Sequence, residues 1–422
     1  MTGDAAVVQW MRNAARPLSA IAPGNGFADL RPLDELVGDA RVVGLGEAAH
    51  GASEFFTLKH RLVEYLVVEH GFTAITWEAS YAGGRPIDDF VRRDTGDGAA
   101  ALSGQGYLAW DTEEVAALLD WLRGHNATRA AEQQVAFHGL DSGYNQIGRA
   151  AVREYLHRVA PDRLPAVETV FALLERLEPR WPFRLGEAEA VDLAEAYAGL
   201  QRLRDQLADD VDHVVGGPGA SELAEVRWFV RLMLQWSGPD RTERSLHMGE
   251  NLLALIERER PGTKFLVWQH NAHIGSGTLT PQWSLGDVMR ERFGDAYVAL
   301  ALECGQGSTN TRRVDPDGFS VDLVQTTIGA PPIGSLPWYL AQAGPDAFFL
   351  GLRRPPEDPP VRQWLDQPVG ETGVGWTTSD LPTVHHQGRI AEQYDGVLYV
   401  SRVGPAHPTA NARQAIASRE RY

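Results

Sequence analysis

The sequence is poor in the features of disulfide-linked, membrane-spanning and nucleic-acid-binding proteins. Its 422 residues include one cysteine, Cys304, which excludes an internal disulfide and a cysteine-rich metal site. It has no long uncharged apolar run of the kind that crosses a bilayer. Lys and Arg number 39 against 56 Asp and Glu, a formal charge of -17, whereas tracking a phosphate backbone needs a basic surface. We therefore expect no nucleic-acid or membrane partner.

The overall composition is that of a soluble globular protein with a large core. Hydrophobic residues make up 43% of the chain and charged residues 23%, which is the ordinary balance of globular domains. The first residues, Met1 to Asp4, carry neither the basic nor the apolar region of a secretory signal. Together with the lone cysteine, this favours a cytoplasmic location, and the composition leaves the oligomeric state open.

Short apolar runs alternate with amphipathic segments in both halves of the chain. A helix is predicted from Ser53 to about His70 with Ser53 as its cap and Gly71 as its end, and another from Glu113 to Arg123. The segment Gly83–Pro86 is predicted to be a loop. The apolar runs are typical of buried parallel strands, which we place at residues 41–45, 72–77, 135–140, 264–268, 296–302, 348–352 and 396–400. This alternation predicts an α/β fold with a mainly parallel central sheet flanked by helices.

Residues 146–260 have a different character. They are rich in Ala, Leu, Glu and Arg, contain no convincing strand, and are interrupted by breakers at Pro161, Pro182 and Gly216-Gly217-Pro218. We expect several helices inserted into the α/β framework. On this interpretation residues 1–145 and 261–422 form the catalytic core, and residues 146–260 form an inserted helical subdomain that acts as a lid over a deep cleft.

Polar residues capable of chemistry follow several of the predicted strands. They are Glu47, Glu78, Asp141, His270 and Glu303, each at or just past the carboxyl end of a strand. One such residue would mean little, because a strand must end in something polar. Since ligands of open α/β sheets bind outside the carboxyl ends of the strands, five of them predict a shared polar cleft that holds a small molecule.

A histidine near a carboxylate is the most informative pair in that cleft. His50 lies three residues after Glu47, close enough for the carboxylate to fix the imidazole tautomer and support its charged form. Histidine is the usual general base near neutral pH. The chain contains no Gly-x-Ser-x-Gly motif that would supply a serine nucleophile. A water molecule activated by His50 is therefore the simplest nucleophile.

A metal site is the main competing interpretation. Glu47 and His50, and likewise His270 and His273, have i, i+3 spacing, and oxygen with imidazole ligands suits Zn, Mn or Fe. A metal alone can lower the pKa of a bound water to about 7, which would make His50 unnecessary as a base. The closeness of Glu47 to His50 is better explained if the imidazole itself removes the proton. We therefore expect no required metal or other cofactor, and hence full activity after exhaustive chelation.

The motifs also resemble those of a known family. Residues Gly44 to Gly51 followed by Glu54-Phe55-Phe56 and Lys59 to Leu62 resemble the opening motif of the erythromycin esterase family. Its other landmarks follow in order, at Trp77-Glu78-Ala79, Trp110 to Glu114 with Trp121 to Arg123, Met248 to Leu252, Trp268 to Ile274 and Tyr394 to Val397. The resemblance implies an α/β hydrolase that opens the macrolactone ester of macrolide antibiotics without an essential metal.

Carried over residue by residue, the resemblance implies roles for the polar set. His50 is expected to be the general base with Glu47 beside it, while Glu78, His270 and His273 bind the ester and its leaving oxygen. Residues expected around the substrate are Lys59, where some macrolide-active members have Arg, together with Trp110, Glu250, Asn251 and Glu303. Two other functions stay open: a biosynthetic tailoring enzyme that uses the same cleft for acyl transfer, elimination or cyclisation, and a non-catalytic protein that binds a hydrophobic ligand.

Overall fold

The computed structural model describes residues 3–93, 95–178, 185–210, 219–277, 283–314, 320–376 and 386–418. Strands within these ranges are β1 (Arg16–Pro17), β2 (Val42–Leu45), β3 (Ala74–Ser80), β4 (Ala136–Asp141), β5 (Phe265–Trp268), β6 (Tyr297–Val314), β7 (Ser320–Ile328), β8 (Ala347–Gly351), β9 (Val369–Glu371), β10 (His386–Gly388) and β11 (Gly396–Val403). Every strand predicted from an apolar run is present, and its ends lie within a few residues of the prediction except at the far end of β6.

Nine of these strands form one central sheet. Their order is β1-β8-β11-β6-β2-β5-β3-β4, with β7 paired to the far part of β6. The six strands from β11 to β4 run parallel. Antiparallel pairing adds β8 to β11, β1 to β8 and β7 to β6. The prediction of a mainly parallel sheet is confirmed. Because β2, β3, β4 and β5 are parallel neighbours, their carboxyl ends meet at one edge.

Helices cover both faces of the sheet. Those described are α1 (Gly3–Ala14), α2 (Asp34–Val37), α3 (Ser53–His70), α4 (Tyr81–Arg93), α5 (Gly98–Ser103), α6 (Glu113–Ala127), α7 (Gln146–Val159), α8 (Leu164–Leu177), α9 (Glu187–Asp209), α10 (Ala220–Ser237), α11 (Arg244–Arg258), α12 (Asn271–Ile274), α13 (Leu285–Phe293), α14 (Leu336–Ala341), α15 (Pro359–Leu365), α16 (Ile390–Gln393) and α17 (Ala410–Ser418). Apolar side chains of α3 and α6 pack on one face, and those of α1, α11 and α13 on the other. None of the described helices is long and apolar enough to cross a membrane.

Helix boundaries follow local capping rules. Helix α3 ends at Gly71, whose φ of 70° lies in the left-handed region that glycine tolerates. Thr112 accepts a hydrogen bond from the Val115 amide at the start of α6. Ser53 was expected to cap α3, but it is the first helical residue, and its hydroxyl donates to Glu114 instead.

The helices of residues 146–260 divide into two groups. Helices α7, α8, α9 and α10 share an apolar cluster of their own. Helix α11 instead contributes Met248, Leu252 and Leu255 to the core beneath the sheet. The expected breaker at Pro161 lies between α7 and α8, whereas Pro182 and Gly216-Gly217-Pro218 fall outside the described residues. The division into a core and an inserted subdomain, and its role as a lid, stay predictions.

Two features differ from the sequence prediction. The segment Gly83–Pro86, predicted to be a loop, lies inside α4. A Cβ on Gly84 would come within 2.7 Å of the Gly139 main-chain nitrogen, so the glycine allows this helix to lie against β4. Strand β6 also continues beyond the predicted residue 302 to Val314 and pairs with β7. Neither contact between distant segments has a local sequence signal.

Candidate active site

The turn from Gly46 to Gly51 follows β2 and presents Glu47 and His50 at the carboxyl edge of the sheet. A Cβ on Gly46 would lie 2.1 Å from Asn271 Oδ1, and one on Gly51, whose φ is +72°, would lie 2.7 Å from the Asn310 main-chain oxygen. Only glycine fits at both positions. The main-chain amide of Asn271 donates to the main-chain carbonyl of Glu47 at 2.9 Å. The turn is thus held from both sides by segments distant in sequence.

Glu47 lies between a histidine and a lysine. Its Oε1 is 2.6 Å from His50 Nδ1, and its Oε2 accepts a hydrogen bond of 2.7 Å from Lys59 Nζ. Lys59 Nζ also donates to the Gln269 carbonyl at 3.1 Å. Because the carboxylate accepts at Nδ1, the proton of a neutral His50 lies on Nδ1 and the lone pair lies on Nε2. This is the tautomer that a general base needs.

On the other side, His50 faces Glu78, which is held by a second cation. The His50 Nε2 atom is 3.8 Å from Glu78 Oε1, beyond direct hydrogen-bond reach. Arg244 Nη1 donates to the same Glu78 oxygen at 2.9 Å, and Arg244 Nε donates to Asp141 Oδ2 at 2.7 Å. Glu78 and Asp141 come from β3 and β4, and Arg244 is the first residue of α11. One guanidinium therefore clamps two carboxylates from neighbouring strands.

The two histidines after β5 complete the cluster. The His270 amide donates to Glu78 Oε2 at 3.1 Å, and the His270 ring centroid is 5.1 Å from that of His50. His273 Nε2 is 3.3 Å from Glu78 Oε1, while its Nδ1 is 2.9 Å from Ser245 Oγ. The His273 side chain is 20% exposed and that of Arg244 is 24% exposed, against 10% for His50. The cluster opens towards solvent at Arg244 and His273.

Aromatic side chains form the surroundings of His50. Trp110 is 2% exposed, its ring centroid lies 5.3 Å from that of His50, and its Nε1 donates to the Glu78 carbonyl at 3.0 Å. Further along the same edge, the ring centroids of Tyr107 and Tyr144 lie 4.7 Å apart, and the Tyr107 hydroxyl donates to Asp141. Tyr144 has a φ of 50°, which is uncommon for a residue other than glycine. Such strain is often found at functional sites.

Burial and charge set the protonation of the cluster. Burial of His50 opposes its charged form, but Glu78 and then Glu47 outweigh it and raise the His50 pKa above 6.5. Burial lowers the pKa of Lys59 to about 8, against the attraction of Glu47. Burial also opposes ionisation of Glu78, yet His273, Arg244 and His50 bring the pKa of Glu78 well below its usual range. Glu78 is thus a fixed negative charge facing His50.

The structure brings most of the predicted site residues together. Glu47, His50, Glu78, His270, His273, Lys59 and Trp110 form one connected cluster. Lys59 differs from expectation in its position, because its side chain is 0% exposed and lies behind Glu47. In this geometry Lys59 orients Glu47, and its expected contact with substrate stays a prediction.

Three residues expected near the substrate lie outside this hydrogen-bonded cluster. Glu250 is exposed on α11, and its carboxylate is 3.5 Å from Arg231. Asn251 is buried and uses its side chain to join Gln235 to the Leu140 carbonyl, which fixes α11 to α10 and β4. Glu303 is buried and accepts a hydrogen bond from the Thr372 amide at 3.1 Å. In the described ranges no hydrogen bond joins these three side chains to His50 or His273.

Arg244 and Ser245 escaped prediction from the sequence. They precede the Met248–Leu252 landmark by a few residues on the same helix, but nothing in their spacing marks them as part of a site. The sequence gives one indirect signal of a nearby cation, which is Asp141 at the end of β4. A buried carboxylate next to Glu78 requires a cation nearby, and only the fold shows that Arg244 provides it.

The described residues contain no group of three or more His, Cys, Asp or Glu side chains arranged to hold a metal ion. Glu78 and Glu47 are instead bonded to Arg244 and Lys59, which occupy the carboxylate oxygens that would ligate a cation. Metal independence stays a prediction, to be tested by chelation.

The fold and this cluster define an α/β protein whose histidine–carboxylate site lies at the carboxyl edge of a mainly parallel sheet. The sequence profile of the family "Erythromycin esterase" matches residues 67–403, and the chain belongs to that family. It is 23% identical over 382 residues to erythromycin esterase type II of Escherichia coli, covering 83% of this chain and 90% of that one. It is 22% identical to a putative hydrolase, YbfO, of Bacillus subtilis, covering 94% and 91%. Family membership supports a hydrolase.

Solved structures show the same fold. A Bacillus cereus protein superimposes with a TM-score of 0.79 at 24% identity, over 96% of this chain and 99% of the other. A succinoglycan biosynthesis protein gives 0.75 at 24% identity, over 97% and 100%. An erythromycin esterase variant in its open conformation gives 0.66 at 17% identity, over 90% and 95%. The α/β architecture is therefore that of the family.

Proposed function

We propose that the protein is a carboxylic ester hydrolase in which His50 activates a water molecule. The observation that carries this proposal is the position of His50 between two carboxylates. Glu47 Oε1 lies 2.6 Å from Nδ1, while Nε2 lies 3.8 Å from Glu78 Oε1 and can accept a proton from water. A base oriented by a carboxylate is the arrangement that general-base catalysis uses.

The reaction then proceeds in two proton transfers. His50 Nε2 removes a proton from water as the water oxygen attacks the ester carbonyl, which forms a tetrahedral oxyanion. Glu47 and Glu78 stabilise the resulting imidazolium, consistent with the raised pKa of His50. When the carbon–oxygen bond to the alcohol breaks, the imidazolium returns the proton to the leaving alkoxide. The products are a carboxylic acid and an alcohol, and His50 is again neutral.

The other basic side chains of the cluster have separate roles. Arg244 and His273 are the partly exposed donors beside Glu78, so they are suited to hold the ester oxygen as negative charge develops. His270 is buried beside His50 and fixes Glu78 through its amide. Lys59 does not reach the substrate in this proposal, because it is enclosed behind Glu47.

We further propose a cyclic ester of the macrolactone type as the substrate class. The support is the similarity to proteins named erythromycin esterase, type II at 23% identity and type I of Escherichia coli at 24% identity over 302 residues. A panel of macrolides, simple lactones and linear esters tests this specificity. Ring opening of a macrolide faster than hydrolysis of the linear esters is expected, and the reverse order would exclude a macrolactone substrate.

The His50→Ala variant tests the mechanism. Loss of a general base should reduce kcat by about 10²-fold or more, while far-UV circular dichroism and the thermal midpoint remain those of a folded protein. Asn13→Ala, on α1 and outside the cluster, is a matched control. Near-normal turnover by His50→Ala would remove His50 from the mechanism.

Water labelled with heavy oxygen separates hydrolysis from the other functions that the sequence leaves open. Hydrolysis places one labelled oxygen in the product acid, as mass spectrometry would detect. A product formed by elimination, cyclisation or acyl transfer carries no added water, and such a product would favour a biosynthetic tailoring enzyme. Stoichiometric binding with no change in the ligand would indicate a binding protein instead.

A further inference from the structure

Ser245 contacts His273 but has no role in the proposed reaction. Its Oγ lies 2.9 Å from His273 Nδ1. It is half-buried in the first turn of α11, directly after Arg244. The other ring nitrogen of His273, Nε2, lies 3.3 Å from Glu78 Oε1. The two nitrogens therefore face different partners, and the place of the ring proton depends on what each partner can donate or accept.

The start of α13 sets the direction of the Ser245 hydroxyl. The main-chain amide of Leu285, the first residue of α13, donates to Ser245 Oγ at 3.0 Å. Amides in the first turn of a helix have no acceptor within that helix, so this contact satisfies one of them. Because the amide occupies a lone pair of Oγ, the single hydroxyl hydrogen is available to point at His273 Nδ1.

The opposite assignment wastes a donor. If Nδ1 of His273 carried the proton, Ser245 Oγ would accept from both Nδ1 and the Leu285 amide. Its own hydrogen would then have no acceptor among the residues that the structure describes. A hydrogen bond from the hydroxyl to Nδ1 uses every donor in this part of the network, and it leaves the proton of a neutral ring on Nε2.

The partners of His273 Nε2 favour the same tautomer. Glu78 is paired with Arg244, and an ionised carboxylate only accepts hydrogen bonds. A proton on Nε2 makes the 3.3 Å contact with Glu78 favourable, whereas a lone pair there would face a negative charge. Arg244 Nη1 could donate to such a lone pair, but it is 3.5 Å away and already donates to Glu78 at 2.9 Å. The longer contact lies outside the ordinary hydrogen-bond range.

The Nε2 atom of His273 also lies beside the proposed base. It shares the oxygen Glu78 Oε1 with His50, whose own Nε2 is 3.8 Å from that oxygen. The His273 side chain is more exposed than that of His50. The same small region therefore holds a ring N–H on His273 and a ring lone pair on His50.

We propose that Ser245 is a positioning residue, which donates to His273 Nδ1 and so keeps the proton of the neutral His273 ring on Nε2. His273 is then a neutral hydrogen-bond donor in the cleft. In the proposed ester hydrolysis, on which this last step rests, the Nε2–H group stabilises the ester oxygen as it becomes negative. Ser245 acts through His273 and does not touch the substrate.

Nitrogen NMR of the histidine rings reads the tautomer directly in the unmodified protein. The signals of His273 are assigned by their loss in His273→Gln, and spectra are recorded above neutral pH. We expect Nδ1 to resonate as an unprotonated ring nitrogen and Nε2 as a protonated one. A proton on Nδ1 alone, or protons on both nitrogens, would overturn the proposal.

Replacing the hydroxyl tests whether Ser245 sets the tautomer. Ser245→Ala removes the donor to Nδ1, so the Arg244 contact should compete and a second tautomer should appear. Ser245→Thr keeps a hydroxyl and should retain the single tautomer. Ser237→Ala is the matched control, because it removes a buried hydroxyl that donates to the Met233 carbonyl on α10. An unchanged spectrum in Ser245→Ala, or the same change in Ser245→Thr, would show that the hydroxyl does not hold the proton.

Kinetics separate this role from a structural one. Ser245→Ala should lower kcat by up to about 10²-fold, the lower end of the usual loss of an oxyanion donor, with KM little changed. Ser245→Thr should restore kcat, and the thermal midpoints should match that of Ser237→Ala. An unchanged kcat despite an altered tautomer would exclude the catalytic role of the Nε2–H group. The NMR result needs no substrate, so it stands or falls separately from the role of His50.

Discussion

The molecule contains two pairs of buried glutamates, Glu47 with Glu78 and Glu303 with Glu371. The pairs differ in the groups that contact their carboxyl oxygens. Glu47 and Glu78 have direct contacts with Lys59 and Arg244. Glu303 instead accepts a hydrogen bond from a main-chain amide, and Glu371 accepts one from a tyrosine hydroxyl. The pKa of Glu78 is held well below its usual range, while the pKa of Glu303 is raised well above it.

The difference shows that burial alone does not decide what a carboxyl group can do. A cation within hydrogen-bond distance keeps a buried carboxylate charged, so it can support an imidazolium. Without a cation, burial favours the neutral acid and raises the pKa of the same side chain. The sequence does not distinguish the two environments, since Glu78 and Glu303 each stand at the end of a predicted strand.

Removing Lys59 should make Glu47 resemble Glu303. Lys59→Met leaves a fully buried carboxylate without its cation, and breaking a buried ion pair in this way costs about 3–5 kcal/mol. Chemical unfolding would measure that loss. Lys264→Met is the comparison, since Lys264 makes one hydrogen bond with the His70 carbonyl and should matter less. Equal losses in the two variants would mean that the pairing of Glu47 contributes little.

Removing Arg244 should have the next largest effect, and mainly on catalysis. Arg244→Gln keeps hydrogen-bonding capacity but removes the positive charge that lies beside Glu78 and the proposed oxyanion. Loss of one oxyanion donor typically lowers kcat by about 10²–10³-fold. Steady-state kinetics with Arg241→Gln as a control would measure it. An unchanged kcat with a raised KM would assign Arg244 to substrate binding alone.

The smallest effect is expected at an ion pair on the surface. Glu250 is exposed and lies 3.5 Å from Arg231, so Glu250→Gln should change the free energy of unfolding by less than about 0.5 kcal/mol. Its kcat/KM should also match that of the unmodified protein. A clear fall in kcat/KM would restore the sequence prediction that Glu250 binds substrate.

Much of the site could be predicted from local sequence. The strands before Glu47, Glu78 and His270 are buried apolar runs, and parallel neighbours place their ends together. What could not be predicted depends on contacts between distant segments. Whether Lys59 faces the cleft or the core depends on its partner Glu47 and the Gln269 carbonyl. The same is true of Arg244, whose role exists only because β3 and β4 are adjacent.

The pH dependence of kcat/KM in Glu78→Gln tests the central claim most directly. His50 must be neutral to act as a base, so activity should rise with pH through its pKa, which Glu78 and Glu47 raise above 6.5. The charge of Glu78 makes the largest single contribution to this rise. Its replacement by Gln should therefore shift the rising limb of the profile to lower pH, while Glu257→Gln, exposed on α11, leaves the limb in place. A limb that does not move in Glu78→Gln would contradict the account of His50 as the general base.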